Sequence, residues 1–215
     1  MTRTYLEQDQ ILRIFDAVPL VSKHPEQDLL LLRLLWESGA RVTEAITLIP
    51  EHIGDSSVVL RNLKQYKIIK VNGKKIRVHD KNAIKEVQVS EELCQNLKLF
   101  MPGREFVFMA PHGKKHVSAW YVWNMLTRVS EVAGIRVYGK RNPRTGGRFK
   151  GAYPHLFRHS NAMKLLEETK DISLVQQQLG HADVKTTQGY AYVTAPRIKK
   201  AVGKIDWYKR GEQDT

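Results

Sequence analysis

Four side chains suited to phosphate chemistry fall within one stretch, HLFRHSNAMKLLEETKDISLVQQQLGHADVKTTQGY, residues 155–190. His155 and Arg158 are three apart, His181 follows Gly180, and Tyr190 stands nine positions after His181. Pro154 suits the first position of a helix, which sets His155 and Arg158 on one face of its first turn. A helix start presents free N–H groups and the positive end of the dipole, so a phosphate is the natural guest there. Attack on phosphorus without a metal needs a nucleophile, cations for the five-coordinate oxygens, and a proton for the departing oxygen. Tyrosine supplies the first, as an ester close enough in energy to a phosphodiester for the step to reverse. Its phenol has a pKa of about 10, so ionising it at neutral pH costs roughly 4 kcal/mol without help. His155 is the candidate base. The guanidinium of Arg158 matches two phosphate oxygens at once, and His181 adds a further donor. His155, His159 and His181 lack the carboxylate or thiolate company of a zinc site, so no metal and no cofactor is expected.

The charge of the chain agrees with such a partner. Lys and Arg total 35 against 22 Asp and Glu, a formal +13, which favours a polyanion and above all nucleic acid. The excess is local: nine basic residues lie between Arg61 and Lys85 against Asp80 alone. Arg61, Lys67, Lys70, Lys74 and Lys75 are candidate phosphate contacts in that region. Residues 134–153 add Arg141, Arg144, Arg148 and Lys150 with no acidic residue. Two basic protrusions flanking the 155–190 stretch would each release counterions from a nucleic-acid backbone. Cys94 is the single cysteine, which excludes an internal disulfide framework and suits a reducing compartment. The longest apolar run, Leu29 to Trp36, is interrupted by Arg33 and too short for a bilayer. With no signal-like apolar run near the N-terminus, a soluble cytoplasmic protein is expected, nucleoid-associated when bound to DNA.

The elements that position these residues are legible as periodicities. Leu6, Ile11, Ile14, Phe15 and Val18 predict an amphipathic helix over 5–18, with Pro19 and Pro25 bracketing a loop. Residues 26–37 are apolar almost all round, which predicts a central helix ended by Gly39. Thr43 is placed as the cap of a short helix that Pro50 stops. SVVL, KIIKV, KIRVH and KEVQV, separated by turn formers, predict a small antiparallel sheet. Ser90 opens a helix closed by Pro102-Gly103, and a short strand EFVFM follows. Ser118 caps a helix to about 132 with Trp120, Val122, Trp123, Leu126 and Val129 as its apolar face. Residues 134–153, with five Gly and a Pro, read as a long mobile loop. Helices over 155–169, 171–179 and 184–192 complete the reading, with a tail after Pro196. The fold class is mainly α with a small antiparallel β-sheet (α+β).

Three motifs in order, Gly39-x-Arg41-x-x-Glu44-x-x-x-Leu48, His155-x-x-Arg158-His159 and Leu179-Gly180-His181 with Tyr190 nine further on, resemble the catalytic domain of the tyrosine recombinase, or phage-type integrase, family. The resemblance runs from Leu6 to about Val193 and implies a catalytic domain over 1–193 and a C-terminal tail over 194–215. In the family such a tail docks into a neighbouring protomer; folding back onto its own domain is the alternative here. The resemblance implies Arg41 and Arg158 as the phosphate clamp, Glu44 as the acid that orients them, and Tyr190 rather than Tyr192 as nucleophile. It also implies a general-acid lysine in the β-hairpin, for which Lys64 matches best by position. The hairpin is longer than the family's common tight form, so Lys67, Lys70, Lys74 and Lys75 stay open as rivals.

The implied activity is site-specific recombination of double-stranded DNA through a 3′-phosphotyrosyl intermediate and a four-way junction. The implied assembly is a homotetramer on DNA, monomeric when free, with a DNA-bending or clamp protein as a candidate accessory. In length the chain resembles the short recombinases that invert promoter-bearing segments. Nicking and resealing like a type IB topoisomerase shares the chemistry, and a non-cleaving DNA-binding regulator of the same fold is the rival outside it.

Overall fold

A computed structural model describes residues 5–61, 66–71, 74–80, 83–100, 103–111, 113, 115–141, 148–180 and 195–210, with the backbone alone described at 66, 67, 69, 74–79, 138–141, 148–150 and 195. Its helices are α1 (Gln8–Val21), α2 (Pro25–Ser38), α3 (Val42–Ile46), α4 (Glu91–Phe100), α5 (Ala119–Val132), α6 (Pro154–Thr169), α7 (Ile172–Leu179) and α8 (Ala195–Val202). The strands are β1 (Ser57–Arg61), β2 (Tyr66–Val71), β3 (Lys74–His79), β4 (Ile84–Gln88), β5 (Tyr138–Arg141) and β6 (Arg148–Lys150). Among the described residues no helix is long and apolar enough to cross a membrane.

α2 is the central helix, as its apolar composition requires: Leu31, Leu32, Leu34 and Leu35 are wholly buried and Trp36 nearly so. It packs between α1 and α6, and α1 also lies against α5. Ile11, Ile14, Phe15 and Val18 form the inner face of α1, and Leu6 precedes it into the core. Helix α1 runs through Pro19 to Val21 and so outlasts the boundary expected from sequence. Ser118 caps α5 by accepting from the Tyr121 N–H at 3.0 Å. The inner face of α5 is Val122, Met125, Leu126 and Val129; Trp120 is 76% exposed, which corrects its assignment to that face.

Each of the four expected strands forms, but as two antiparallel ladders, β1 with β4 and β2 with β3. In the first, Val58 faces Val87 and Leu60 faces Lys85 across the pair. Directly opposed residues share a face, so Lys85 lies on the side where Val58, Leu60 and Val87 are buried. The expected strand EFVFM is absent: within it only Met109 pairs, through an isolated bridge to His116. Residues 134–153 contain the β5–β6 ladder where a loop was expected. The helix expected over 184–192 lies outside the described residues.

The described part of the tail lies on the same chain's core. Ile198, Val202, Ile205 and Trp207 are buried, and Trp207 meets Trp36 edge-on with ring centroids 5.3 Å apart. Trp36 donates from Nε1 to the Trp207 carbonyl at 3.2 Å. Tyr208 donates to the buried Glu37 carboxylate and accepts from Arg33 Nε at 2.7 Å. Burial, then the Glu37 charge beside it, pushes the Tyr208 phenol far above its ordinary value.

Candidate active site

Gly39 begins the site. Its φ of +60° ends α2, and a Cβ there would lie 2.5 Å from both Asn161 Oδ1 and Leu179 Cδ2. Asn161 is itself fixed, its amide donating to the carbonyls of Trp36 at 2.8 Å and Glu37 at 2.9 Å. The end of α2, the middle of α6 and the end of α7 therefore meet where only a residue without a side chain fits. Gly39→Ala should destabilise the protein by about 1–2 kcal/mol for the left-handed backbone, with about 1–3 kcal/mol more for the overpacking. A urea titration measures it; a loss under about 1 kcal/mol would mean that the junction is loose.

Arg41 leads into α3, which starts at Val42, so Thr43 is inside that helix and does not cap it. The Glu44 carboxylate accepts from the Arg41 backbone N–H at 3.0 Å and from its Nη1 at 2.6 Å. The Arg41 side chain stays 20% exposed, while that of Glu44 is wholly buried. Arg158, on the inner face of α6, is 5% exposed and bonds to two helix-end carbonyls. Nη1 reaches Gly39 O at 2.6 Å and Nη2 reaches Leu179 O at 2.8 Å. Burial, then the neighbouring charge of Arg41, pulls its pKa down to about 10. The two guanidinium groups are thus held close enough to repel, an arrangement that an oxyanion between them would relieve.

Lys85 completes the cluster, and sequence reading passed over it. Its Nζ is 2.9 Å from Glu44 Oε2 and 3.4 Å from Leu179 O, and its side chain is only 8% exposed. The signal was present in KEVQV: strand alternation sets Lys85 in phase with Val87 and Val89, and a lysine at an inward position is anomalous. Burial works to raise the Glu44 carboxyl, but Lys85 and the Arg41 hydrogen bonds outweigh it and hold the group below the usual carboxylate range. A carboxyl whose folded pKa is depressed adds stability at neutral pH that disappears as pH falls through the folded value. Glu44→Gln should therefore flatten the acid side of a plot of Tm against pH; an unchanged slope would mean that Glu44 is not held ionised.

His155 is exposed in the first turn of α6, one turn before Arg158, and its ring meets that of His159 edge-on at 4.7 Å. Ser160 has a structural role: its hydroxyl accepts from the Leu6 N–H at 2.7 Å. Lys64, Arg144, His181 and Tyr190 lie outside the described residues. Arg61 and Lys70 are exposed. Lys67, Lys74 and Lys75 belong to the β2–β3 ladder, and Arg141, Arg148 and Lys150 to the β5–β6 ladder. The structure thus brings together Arg41, Glu44, Arg158 and the unexpected Lys85.

The chain resembles known proteins in sequence and in fold. The sequence pattern of the phage integrase family matches residues 4–197. Tyrosine recombinase XerD of Corynebacterium glutamicum is 28% identical over 198 residues, 91% of this chain and 59% of that protein. Tyrosine recombinase XerA of Thermococcus kodakarensis is 28% identical over 207 residues, 93% of this chain and 61% of that protein. The chain therefore spans about three-fifths of the length of these curated relatives. In fold it resembles the crystal structure of XerA recombinase, with a TM-score of 0.63 at 20% identity over 93% of this chain and 64% of that one. It also resembles XerH site-specific recombinase bound to difH substrate in a pre-cleavage complex, with a TM-score of 0.58 at 20% identity over 86% of this chain and 49% of that one. With the matched pattern extending over nearly all of its length, and the paired arginines of its motifs folded into one cluster, the chain belongs to the phage integrase family.

Proposed function

We propose that this chain is the strand-cleaving part of a site-specific DNA recombinase. The observation that carries the reading is the convergence of Arg41, at the start of α3, and Arg158, on α6, near Glu44, with the Arg41 charge close enough to help lower the pKa of Arg158. The Tyr190 phenol oxygen attacks the scissile phosphorus and its proton passes to His155. The bond from phosphorus to the 5′ oxygen breaks, a lysine protonates that oxygen, and Lys64 is the first candidate. The products are a 3′-phosphotyrosyl link and a free 5′-hydroxyl. Attack by a partner strand's hydroxyl reverses the chemistry on a new strand and builds a four-way junction. Arg41, Arg158 and His181 stabilise the charge that grows on the non-bridging oxygens, which is where fixed donors contribute most.

Basic side chains of two segments, Arg61, Lys67, Lys70, Lys74 and Lys75 in the first and Arg141, Arg144, Arg148 and Lys150 in the second, hold the duplex by its phosphates. Two recombining sites call for four protomers, so the working form on DNA is a homotetramer. The names of the relatives and the DNA-bound fold neighbour support DNA as the partner.

The test is covalent capture. The protein is incubated with a pool of nicked duplexes of random sequence, in which the strand released by cleavage diffuses away and the adduct cannot reseal. A protease-sensitive protein–DNA adduct, formed in chelator, is the expected result, and sequencing the captured DNA gives the site. DNA binding without any adduct would convert the reading to that of a non-cleaving binder.

A further inference from the structure

Lys85 is the one buried side-chain ammonium described in the cluster, and the mechanism above gives it no step. It stands at the meeting of three elements. From β4 it reaches Glu44 on α3 and the last carbonyl of α7, and it shares that Leu179 carbonyl with Arg158. The contact is built into the fold on both sides. Gly180, at φ +65°, presents no side chain, and a Cβ there would lie 2.7 Å from Lys85 Cδ. Gln178 fixes α7 to β4, its Nε2 donating to Gln88 O at 2.6 Å while its Oε1 accepts from Gln88 N at 3.2 Å. Lys85 is therefore packed against the end of α7, and the residue after Gly180 in the chain is His181.

We propose that Lys85 is a positioning residue for the phosphate clamp: it ties Glu44 to the Leu179 carbonyl, and through these two it sets where Arg41 and Arg158 stand and where the chain departs toward His181. Glu44 holds Arg41 from its other oxygen. The Leu179 carbonyl is the shared acceptor through which Lys85 and Arg158 fix each other's approach. One lysine thus links a strand, the helix after Arg41 and the helix before His181 into one rigid unit. Small displacements of such a unit matter, since about 1 Å of misplacement at the reacting centre costs about a hundredfold in rate.

The inference rests on the recombinase reading, and the experiment separates the two. The duplex captured above is prepared in two forms, with the ordinary 5′ oxygen and with sulfur in the bridging 5′ position, since a thiolate departs without a proton donor. Adduct formation is timed for wild type, Lys85→Met, Lys85→Arg, Glu44→Gln and Lys85→Met/Glu44→Gln, each checked for folding by thermal melting. The expected result has three parts: Lys85→Met is slower by about a hundredfold on both substrates, Lys85→Arg recovers most of the rate, and the double variant is no slower than the slower single.

Three results would overturn the proposal. One is a Lys85→Met protein as fast as wild type. Another is recovery of Lys85→Met on the sulfur substrate alone, which would make Lys85 the proton donor. The third is a double variant slowed by the product of the single effects, which would mean that Lys85 does not act through Glu44. If Lys85→Met fails to fold, Lys85→Arg decides: a guanidinium keeps its proton, so an active variant supports positioning and an inactive one overturns it. Absence of any adduct with the wild-type protein removes the recombinase reading itself and this inference with it.

Discussion

Tyr190→Phe is expected to abolish the covalent adduct on the captured duplex, while Tyr192→Phe should retain it and both variants should bind the duplex as wild type does. The expectation follows from the bond that is made. Phenylalanine lacks the single oxygen that becomes the ester to phosphorus, and water attacking in its place would leave no protein-linked product. DNA affinity rests on cations that neutralise phosphates, and the phenol is not one of them. The readout is a denaturing gel of the nicked duplex before and after protease treatment, beside a gel shift under equal salt. An adduct that persists in Tyr190→Phe and is lost in Tyr192→Phe would move the nucleophile by two residues. An adduct that persists in both would place the nucleophile elsewhere in the chain and sink the assignment of the 181–190 spacing.

The second large effect is on stability. Trp207→Ala is expected to cost about 3–5 kcal/mol, the usual range for removing a large aromatic from a core. Trp207 is 2% exposed, it packs edge-on against Trp36, and its carbonyl accepts the Trp36 indole N–H. For a chain of this size a loss of that order lowers Tm by about 6–20 °C, at about 2–4 °C per kcal/mol. Trp207→Phe should cost much less. It keeps most of the ring contact and discards an indole N–H that is buried without a hydrogen-bond partner in the structure. Urea unfolding of both variants checks the ordering. Equal, small losses would mean that the tail is held by Tyr208, with its bonds to Glu37 and Arg33, and that the tryptophan is incidental.

Much of the architecture follows from local rules. α2 is recognisable because its apolar residues leave no polar face, and Gly39 because a helix that ends so abruptly needs a left-handed residue. β1 to β4 were legible as runs of β-branched residues between turn formers, but their division into two ladders was not. β1 packs against α3 and β4 against α7, and no local preference encodes such long-range contacts. The β5–β6 ladder was obscured by its glycines and arginines, whose strand preference is weak. The segment EFVFM shows the converse: five residues with strand character bury Val107 and Phe108 without a ladder, because a buried position rewards the side chain whatever the backbone does.

What the sequence by itself offered is the candidate chemical vocabulary: His155, Arg158, His181 and Tyr190 stand out by residue type and spacing, and the family resemblance of the motifs adds Arg41 and Glu44. Tertiary structure alone decided which charges share a volume. Arg41 and Arg158 are separated by most of the chain, and Lys85 is one of nine basic residues in a region whose excess charge looks uniform along the sequence. Strand alternation marks Lys85 as inward, but only folding sets it onto the carboxylate that also holds Arg41. Electrostatic energy depends on distance and burial, and neither is a property of position along the chain.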